Sequence, residues 1–108
     1  MLTLPIKRLW FDKIKRGIKN EEYRDLTDYY TVRFNKLWGK NRNEPKWICL
    51  RNGYTIHAPK IYIKCKLYIG TGRAEWGAVR GQKYYVLRIL EVSNDIPEEI
   101  KDEQFTGI

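Results

Sequence analysis

The sequence is poor in the residues that build the common catalytic and metal sites. It holds one histidine, His57, and one serine, Ser93, so one chain can assemble neither a serine–histidine triad nor a histidine metal cluster. We expect His57 to lie in a loop. Cys49 and Cys65 are not spaced as a CxxC pair and fall in strand-like runs, so we expect buried free thiols. The sequence therefore predicts no metal site and no cofactor.

Long hydrophobic segments are also missing. The mean hydropathy is -0.62, and the lack of a long apolar run excludes a membrane-spanning helix. The first residues, MLTLPIKRLWF, contain neither a long apolar centre nor a cleavage-like stretch of small residues, and we therefore expect a cytoplasmic protein with no membrane partner. A length of 108 residues predicts a single domain over residues 1–108.

Acidic residues are almost absent from the middle of the chain. The formal net charge is +8, and residues 47–90 hold eight Lys or Arg but only one acid, Glu75. Residues 91–108 hold six acids and one lysine, so we treat residues 95–108 as an acidic C-terminal extension. A cationic middle favours an anionic partner, usually nucleic acid, although ordinary solubility is a competing explanation.

The elements that the sequence does predict are helices early in the chain and strands later. The patterns predict a short strand at residues 2–7, helices at 8–16 and 26–38, an extended stretch at 18–25, and strands at 47–51, 61–69 and 84–92. Gly17 and Gly39 are placed to end the helices, and Thr27 or Asp28 to cap the second. Pro97, followed by two glutamates, predicts a short acidic C-terminal helix. This order favours an α+β domain with a small antiparallel β-barrel flanked by two or three helices.

Residues 61–69 carry the cleanest strand pattern. Apolar residues alternate with tyrosine and lysine throughout, which is the period of a half-buried strand. The predicted outward face consists of Tyr62, Lys64, Lys66 and Tyr68. Aromatic rings stack on bases while lysines meet phosphates, so this face, with Tyr54 and Trp76 nearby in sequence, is a candidate RNA-binding surface. A plain solvated sheet face is the alternative.

The glycine-rich stretch GTGRAEWGAVRG, residues 70–81, does not match a nucleotide-binding loop. Glu75 occupies the last glycine position of a GxGxxG motif, and Ala78 and Val79 stand where a P-loop needs Lys and Ser or Thr. Without that lysine, nothing in the loop reaches a terminal phosphate. We therefore expect the glycines to form a tight loop.

The stretch GIKNEEYR, residues 17–24, is the strongest candidate site. Glu22 and Arg24 are two residues apart and point the same way on a strand, with Tyr23 expected to pack inward on the opposite face. If Lys19 folds back after the glycine, the three charged side chains form a compact cation–anion–cation group. A salt-bridge cluster that only ties the turn to the barrel is the alternative.

Glu75 is the second candidate, because it is the only acid in a long cationic segment and stands beside Trp76. If it faced Lys19 across a cleft, its carboxylate could act as a base while lysine and arginine hold an anionic centre. A desolvated Lys19 could itself serve as base or nucleophile, although Glu22 would oppose the required fall in its pKa. The alternative is that Glu75 only neutralises a neighbouring arginine.

Gly17, Lys19, Glu22 and Arg24 reproduce the pattern G-x-K-x-x-E-x-R, which resembles the signature of the ASCH domain family, a relative of the RNA-binding PUA domain. The strand and helix before the motif, the aromatic helix DYYTVRF after it, and RNGY, EWG and YYVLRILEV further on are similar to single-domain prokaryotic and phage members. The likeness covers most of residues 2–93. It implies a PUA-like β-barrel whose motif lines a cleft, with RNA binding as the common role.

The resemblance also implies that catalysis is an alternative to binding. Some ASCH proteins are hydrolases, among them ribonucleases and amidohydrolases of acylated pyrimidine nucleosides. In the amidohydrolase branch a threonine stands where this chain has Glu22, downstream of the lysine that Lys19 matches, and a later glutamate completes the site. Glu75 is an unaligned candidate for that glutamate, whereas Thr27 and Thr55 are not at the threonine position.

The favoured hypothesis is an RNA- or nucleotide-binding module. Its candidate ligand-binding residues are Lys19, Arg24, Tyr54, Tyr62, Lys64, Lys66, Tyr68 and Trp76. Lys19 and Arg24 would engage phosphate or a base carbonyl, Glu22 would orient them, and an aromatic ring would stack on the base. The enzyme hypothesis assigns catalysis on a modified pyrimidine nucleoside or on RNA to Lys19, Glu22 and Glu75. A protein-interaction module, whose acidic tail docks a partner or covers its own basic groove, is the third hypothesis.

Overall fold

The structure, a computed structural model, describes residues 1–100. Its strands are β1 (Thr3–Pro5), β2 (Glu21–Arg24), β3 (Lys46–Arg51), β4 (Lys60–Thr71) and β5 (Lys83–Ser93). Its helices are α1 (Arg8–Lys15), α2 (Asp28–Trp38) and a short 3-10 helix (Ala74–Trp76). Residues 98–100 are also helical, and the rest of the predicted acidic helix lies outside the described residues. Within residues 1–100, no helix combines the length and the apolar character needed to cross a membrane.

The five strands form one curled sheet in the order β1-β3-β4-β5-β2. β1 pairs with β3 in parallel, and all other neighbours are antiparallel. The edge strands β1 and β2 approach each other at their ends, where Arg24 Nη2 donates to the Pro5 carbonyl oxygen at 2.7 Å. The sheet is therefore a half-barrel flanked by helices, which confirms the predicted α+β class, with one parallel pair in place of the expected all-antiparallel sheet.

The main core lies between the sheet and the two α-helices. The helices contribute Phe11, Ile14, Phe34 and Trp38 to it, and β4 contributes Ile61, Ile63, Cys65 and Leu67. The alternation predicted for β4 is thus confirmed as far as Leu67. Ile69, expected on the same buried face, is exposed because it lies near the strand end, beyond the last core residue. Cys49 and Cys65 are buried free thiols, as predicted.

Local signals set the helix ends and the loops. Thr27 Oγ1 accepts a hydrogen bond from the Tyr30 N–H at 3.4 Å and so caps α2. Gly17 and Gly39 follow the two helices with φ of +75° and +57°, a region that favours glycine. His57 lies exposed in the loop between β3 and β4, as predicted. The stretch after Gly17 becomes β2, which is shorter than the predicted extended stretch at 18–25.

Candidate functional site

β2 turns its charged residues, and not its tyrosine, toward the main core. Glu22 and Arg24 are buried and Tyr23 is only half-buried, so the expected inward direction of Tyr23 is wrong. The cause is the pairing with β5, where Glu22 lies opposite Leu87 and Arg24 lies opposite Tyr85. Residues directly opposite share one face of a sheet, and both β5 residues belong to the main core. Tyr23 packs instead against a smaller cluster on the other face.

Lys19, Glu22 and Arg24 form the cation–anion–cation group that the sequence suggested, here called the charged cluster. Lys19 Nζ lies 3.2 Å from Glu22 Oε1, and Arg24 Nη2 lies 2.7 Å from Glu22 Oε2. Arg24 Nε donates to the same Oε2 atom at 3.2 Å. One carboxylate therefore lies between two basic side chains.

The Lys19 ammonium is fully enclosed. Its side chain is 0 % exposed, and Nζ donates to the Trp76 carbonyl oxygen at 2.8 Å. The rings of Trp10 and Tyr23 cover it, with centroids 5.2 and 4.7 Å from Nζ. Burial lowers the pKa of Lys19 below its usual value, while the charge of Glu22 acts in the opposite direction. Lys19 is therefore buried beneath the protein surface, where it links the motif to the glycine loop.

Arg24 joins β2 to β1 and to α2. In addition to its bonds to Glu22 and to the Pro5 carbonyl, its Nη1 donates to the Tyr30 hydroxyl at 3.2 Å. Within residues 1–100 these bonds use four of the five guanidinium N–H groups. Burial lowers the pKa of Arg24, but Glu22 and Tyr30 outweigh that effect and hold the pKa above its usual value. The guanidinium is therefore charged, and one of its N–H groups makes no hydrogen bond to residues 1–100.

A cleft of about 400 Å³ opens beside the charged cluster. Its walls include three aromatic residues, two cations and two acids, namely Trp10, Tyr23, Trp76, Lys7, Arg24, Glu22 and Asp25. The side chains of Glu22 and Arg24 are 8 % and 10 % exposed, so the charged cluster reaches the cleft through these two residues. Aromatic rings suit a planar ligand, and the two cations offer contacts to an anionic group of that ligand.

The glycine loop enters this cleft through Trp76 and Gly77. Gly77 ends the 3-10 helix with φ of +99°, and a Cβ atom there would lie 2.9 Å from the Trp10 ring. A Cβ atom on Gly72 would lie 2.5 Å from the Tyr23 ring. A side chain at either position would displace an aromatic ring that covers Lys19. The expected tight loop is confirmed, and its glycines let the loop pack against the rings.

Glu75 stands apart from the charged cluster. Its side chain is 65 % exposed, and Oε1 lies 3.4 Å from Arg73 Nη1. Among residues 1–100, those that line the cleft do not include Glu75. The loop meets Lys19 through the backbone carbonyl of Trp76 instead. Catalysis by Glu75 stays a prediction, and it would require the loop to turn this carboxylate toward Lys19.

The outward side chains of β4 lie on the face of the sheet opposite the main core. Tyr62, Lys64 and Lys66 are half-buried there, and Tyr68 is exposed. Lys64 Nζ lies 3.7 Å from a Glu91 carboxylate oxygen and 3.4 Å from a Glu99 carboxylate oxygen, and the Trp47 indole N–H also donates to Glu99. The acidic C-terminal extension thus contacts the basic face that the sequence predicted as an RNA surface. That role of the face stays a prediction.

Sequence reasoning missed Lys7 and Trp10 as cleft residues. The i, i+4 spacing of Trp10 and Ile14 indicates a core pair, and Ile14 is indeed buried. Successive helix residues are turned by about 100°, and Phe11 takes the buried direction next to Trp10. Trp10 is left half-buried at the helix edge. Two large aromatic residues in succession were the available signal, since one helix face cannot bury both.

Comparisons of the chain with protein families, curated proteins and solved structures gave no match. Membership of the ASCH family therefore stays a proposal that rests on the motif and its context. Within the part of the chain that the structure describes, no group of three or more His, Cys, Asp or Glu could hold a metal ion.

Proposed function

We propose that the protein binds RNA, or a nucleotide, in the cleft beside the charged cluster. The observation that carries this proposal is the composition of the cleft, which combines the rings of Trp10 and Trp76 with the cations Lys7 and Arg24. Of the two acids that also line it, Glu22 is paired with Arg24. Aromatic rings bind nucleobases by stacking, which contributes about 1–3 kcal/mol of binding free energy per base, and cations bind phosphates. The cationic middle of the chain, with Glu75 as its one acid over residues 47–90, extends the attraction beyond the cleft.

The charged cluster supplies the Arg24 guanidinium at the cleft wall. This group stays charged because Glu22 and Tyr30 hold its pKa above its usual value, and salt screens partly buried charges less than surface charges. The remaining N–H of Arg24 can donate to a phosphate or base oxygen, and hydrogen bonds from a charged donor are roughly twice as strong as neutral ones. Arg24 is therefore the residue of the motif that contacts the ligand in this proposal.

Lys19 and Glu22 are positioning residues in this proposal. Glu22 accepts two hydrogen bonds from Arg24 and fixes the plane of its guanidinium. Lys19 holds Glu22 from the other side and holds the backbone of Trp76 at the cleft wall. This division of roles gives the two cations of the G-x-K-x-x-E-x-R motif different tasks, one structural and one in binding.

An ASCH-type module is the classification that this arrangement supports best. The three charged residues of the motif contact one another, and Arg24 and Glu22 border an open cleft in a half-barrel domain. A cytoplasmic location, expected from the sequence, belongs to the same proposal because it would bring the cleft into contact with cellular RNA.

A salt titration of binding to a short single-stranded RNA tests the proposal. Log affinity falls against log salt with a slope of about −0.7 per phosphate neutralised. We expect Lys7→Gln to make the slope shallower by about 0.7, whereas Lys15→Gln, exposed on α1 outside the cleft, is the matched control and leaves the slope unchanged. Equal slopes for the two variants, or no RNA binding at low salt, would contradict the proposal.

A further inference from the structure

A second hollow adjoins the cleft. Its volume is about 370 Å³, and its walls include Asn52, Gly53 and Tyr54 from the loop after β3. The two hollows share the segment from Pro5 to Lys7, which leads from β1 into α1. The two adjoining hollows are here together called the groove, with Trp10 and Trp76 on one side of the shared segment and Tyr54 on the other.

The floor of the second hollow is held in place by hydrogen bonds. Asn52 Nδ2 donates to the Ile6 carbonyl oxygen at 2.9 Å, and the Ile6 N–H donates to the Arg51 carbonyl oxygen at 3.0 Å. Arg51 Nε donates to the Gly53 carbonyl oxygen, also at 3.0 Å. The loop that carries Tyr54 is thus fastened to the shared segment, so the spacing between the two hollows is fixed by the fold.

The aromatic ring of Tyr54 makes no ring contact or hydrogen bond within residues 1–100. Tyr54 is 85 % exposed. An exposed aromatic ring beside a hollow can stack on a base. The cleft on the other side of the shared segment offers Trp10 and Trp76. The groove therefore has one aromatic stacking position on each side of Lys7.

Lys7 lies between these positions with its charge uncompensated by any ion pair within residues 1–100. It is exposed and is the N-cap residue immediately before α1, where no side chain of the described residues caps the helix and no acid occupies its first turn. The positive end of the helix dipole and the Lys7 ammonium thus act at the same place. An anionic group would be stabilised at this midpoint of the groove.

We propose that the groove takes two consecutive nucleotides of a single strand, with their linking phosphate at Lys7, one base in the cleft and the next base on Tyr54. This inference rests on the proposed function. It adds the length of the bound segment, the order of its contacts along the groove, and a residue, Tyr54, that distinguishes a dinucleotide from a mononucleotide. The ligand is recognised by the sequence base–phosphate–base, since each of these groups meets a complementary group along the groove.

The test compares affinities for uridine monophosphate and for the dinucleotide UpU. We expect UpU to bind at least tenfold more tightly, and Tyr54→Ala to remove about tenfold of that gain, which is the size of one lost stacking contact. Tyr54→Ala should lower the affinity for UpU more than it lowers the affinity for the monophosphate, and equal losses would contradict the inference. Ile56→Ala is the matched control, because Ile56 is exposed in the same loop and borders neither hollow.

Two further variants separate this inference from the proposed function. Trp76→Leu should weaken both ligands, and Lys7→Gln should weaken UpU more than Ile56→Ala does. If Trp76→Leu weakens binding but Tyr54→Ala does not alter UpU affinity, the dinucleotide inference fails and the proposed function stands. If neither ligand nor a longer single-stranded RNA binds at low salt, the proposed function fails and the inference fails with it.

Discussion

Lys19 Nζ donates a hydrogen bond to the carbonyl oxygen of Trp76 at 2.8 Å, across 57 positions of sequence. The bond joins the G-x-K-x-x-E-x-R motif to the glycine loop, the two parts of the chain that the sequence had singled out separately. The bond is made to a backbone atom, so Lys19 holds the loop by its backbone. The Trp76 ring does not take part in this bond, and Trp76 lines the cleft. The motif therefore shapes the cleft as well as charging it.

Glu22 is the residue whose loss should destabilise the fold most among the members of the charged cluster. Glu22→Gln leaves two buried cations without a counter-ion, and breaking a buried ion pair in this way costs about 3–5 kcal/mol. Urea denaturation measures the change in the free energy of unfolding. The matched control is Glu44→Gln, which breaks the more exposed pair with Lys46 and should cost below about 1 kcal/mol. Similar losses in both variants would argue against a structural role for the charged cluster.

Gly77 should matter for ligand binding although it has no side chain. Gly77→Ala puts a Cβ atom 2.9 Å from the Trp10 ring and places alanine at φ of +99°, so we expect the ring to move and RNA affinity to fall. Gly81→Ala is the matched control, because Gly81 also has a positive φ, +82°, but open space around it. Both variants should lose about 1–2 kcal/mol of stability from backbone strain. Only Gly77→Ala should weaken binding, and equal binding by the two would show that Trp10 is not a contact.

Stability should fall at alkaline pH, and Cys65 should account for part of the fall. Burial raises the pKa of the Cys65 thiol above its usual 9.0, so the unfolded chain loses this proton at a lower pH than the folded chain does. The contribution of the neutral thiol is complete below pH 9.0 and is lost as the pH rises above that value. Melting temperatures between pH 8 and 10.5 should therefore fall less steeply in Cys65→Val than in the wild type. An unchanged slope would assign the loss to other groups, among them Cys49 and the tyrosines, whose pKa values are also raised by burial.

Glu99 should compete with RNA for the outward face of β4. The hydrogen bond from Trp47, with the charge of Lys64, lowers the pKa of Glu99, so this carboxylate is charged at neutral pH and occupies the Lys64 ammonium. If the predicted tyrosine–lysine face binds RNA as well, Glu99→Gln should tighten RNA binding severalfold at low salt. Binding that stays within twofold would restrict the RNA site to the cleft. Asp12→Asn, on an exposed pair with Arg8, controls for the change in net charge.

Local sequence signals predicted those parts of the fold that neighbouring residues determine. The alternation in β4, the Thr27 cap and the glycine stops after both helices each depend on contacts within a few residues, and each is present in the structure. The direction of β2 could not be predicted in this way. Four residues carry too short a pattern, and the tyrosine was a misleading guide, because the pairing with β5 decided which side faces the core.

In the candidate site, too, contacts between residues close in sequence could be predicted and contacts between distant residues could not. The charged members of the motif are close in sequence, so their contact could be anticipated from spacing alone. The partner of Lys19 across the fold could not, because a backbone carbonyl leaves no trace in the choice of amino acid at Trp76. The hypothesis that Glu75 faces Lys19 across a cleft came from its rarity as an acid in the cationic segment. Its carboxylate pairs with Arg73, which agrees with the alternative that the sequence left open, and its catalytic role stays a prediction.

Both edge strands of the sheet are short. β1 has three residues and ends in Pro5, which offers no amide proton, and β2 has four residues. Edge strands of this kind give another chain few free backbone groups on which to align. The Arg24 guanidinium also occupies the Pro5 carbonyl at the point where the two edge strands approach. Both edges of the sheet therefore oppose pairing with a strand from a neighbouring molecule. This should limit aggregation through the sheet edges, although many aliphatic side chains are exposed.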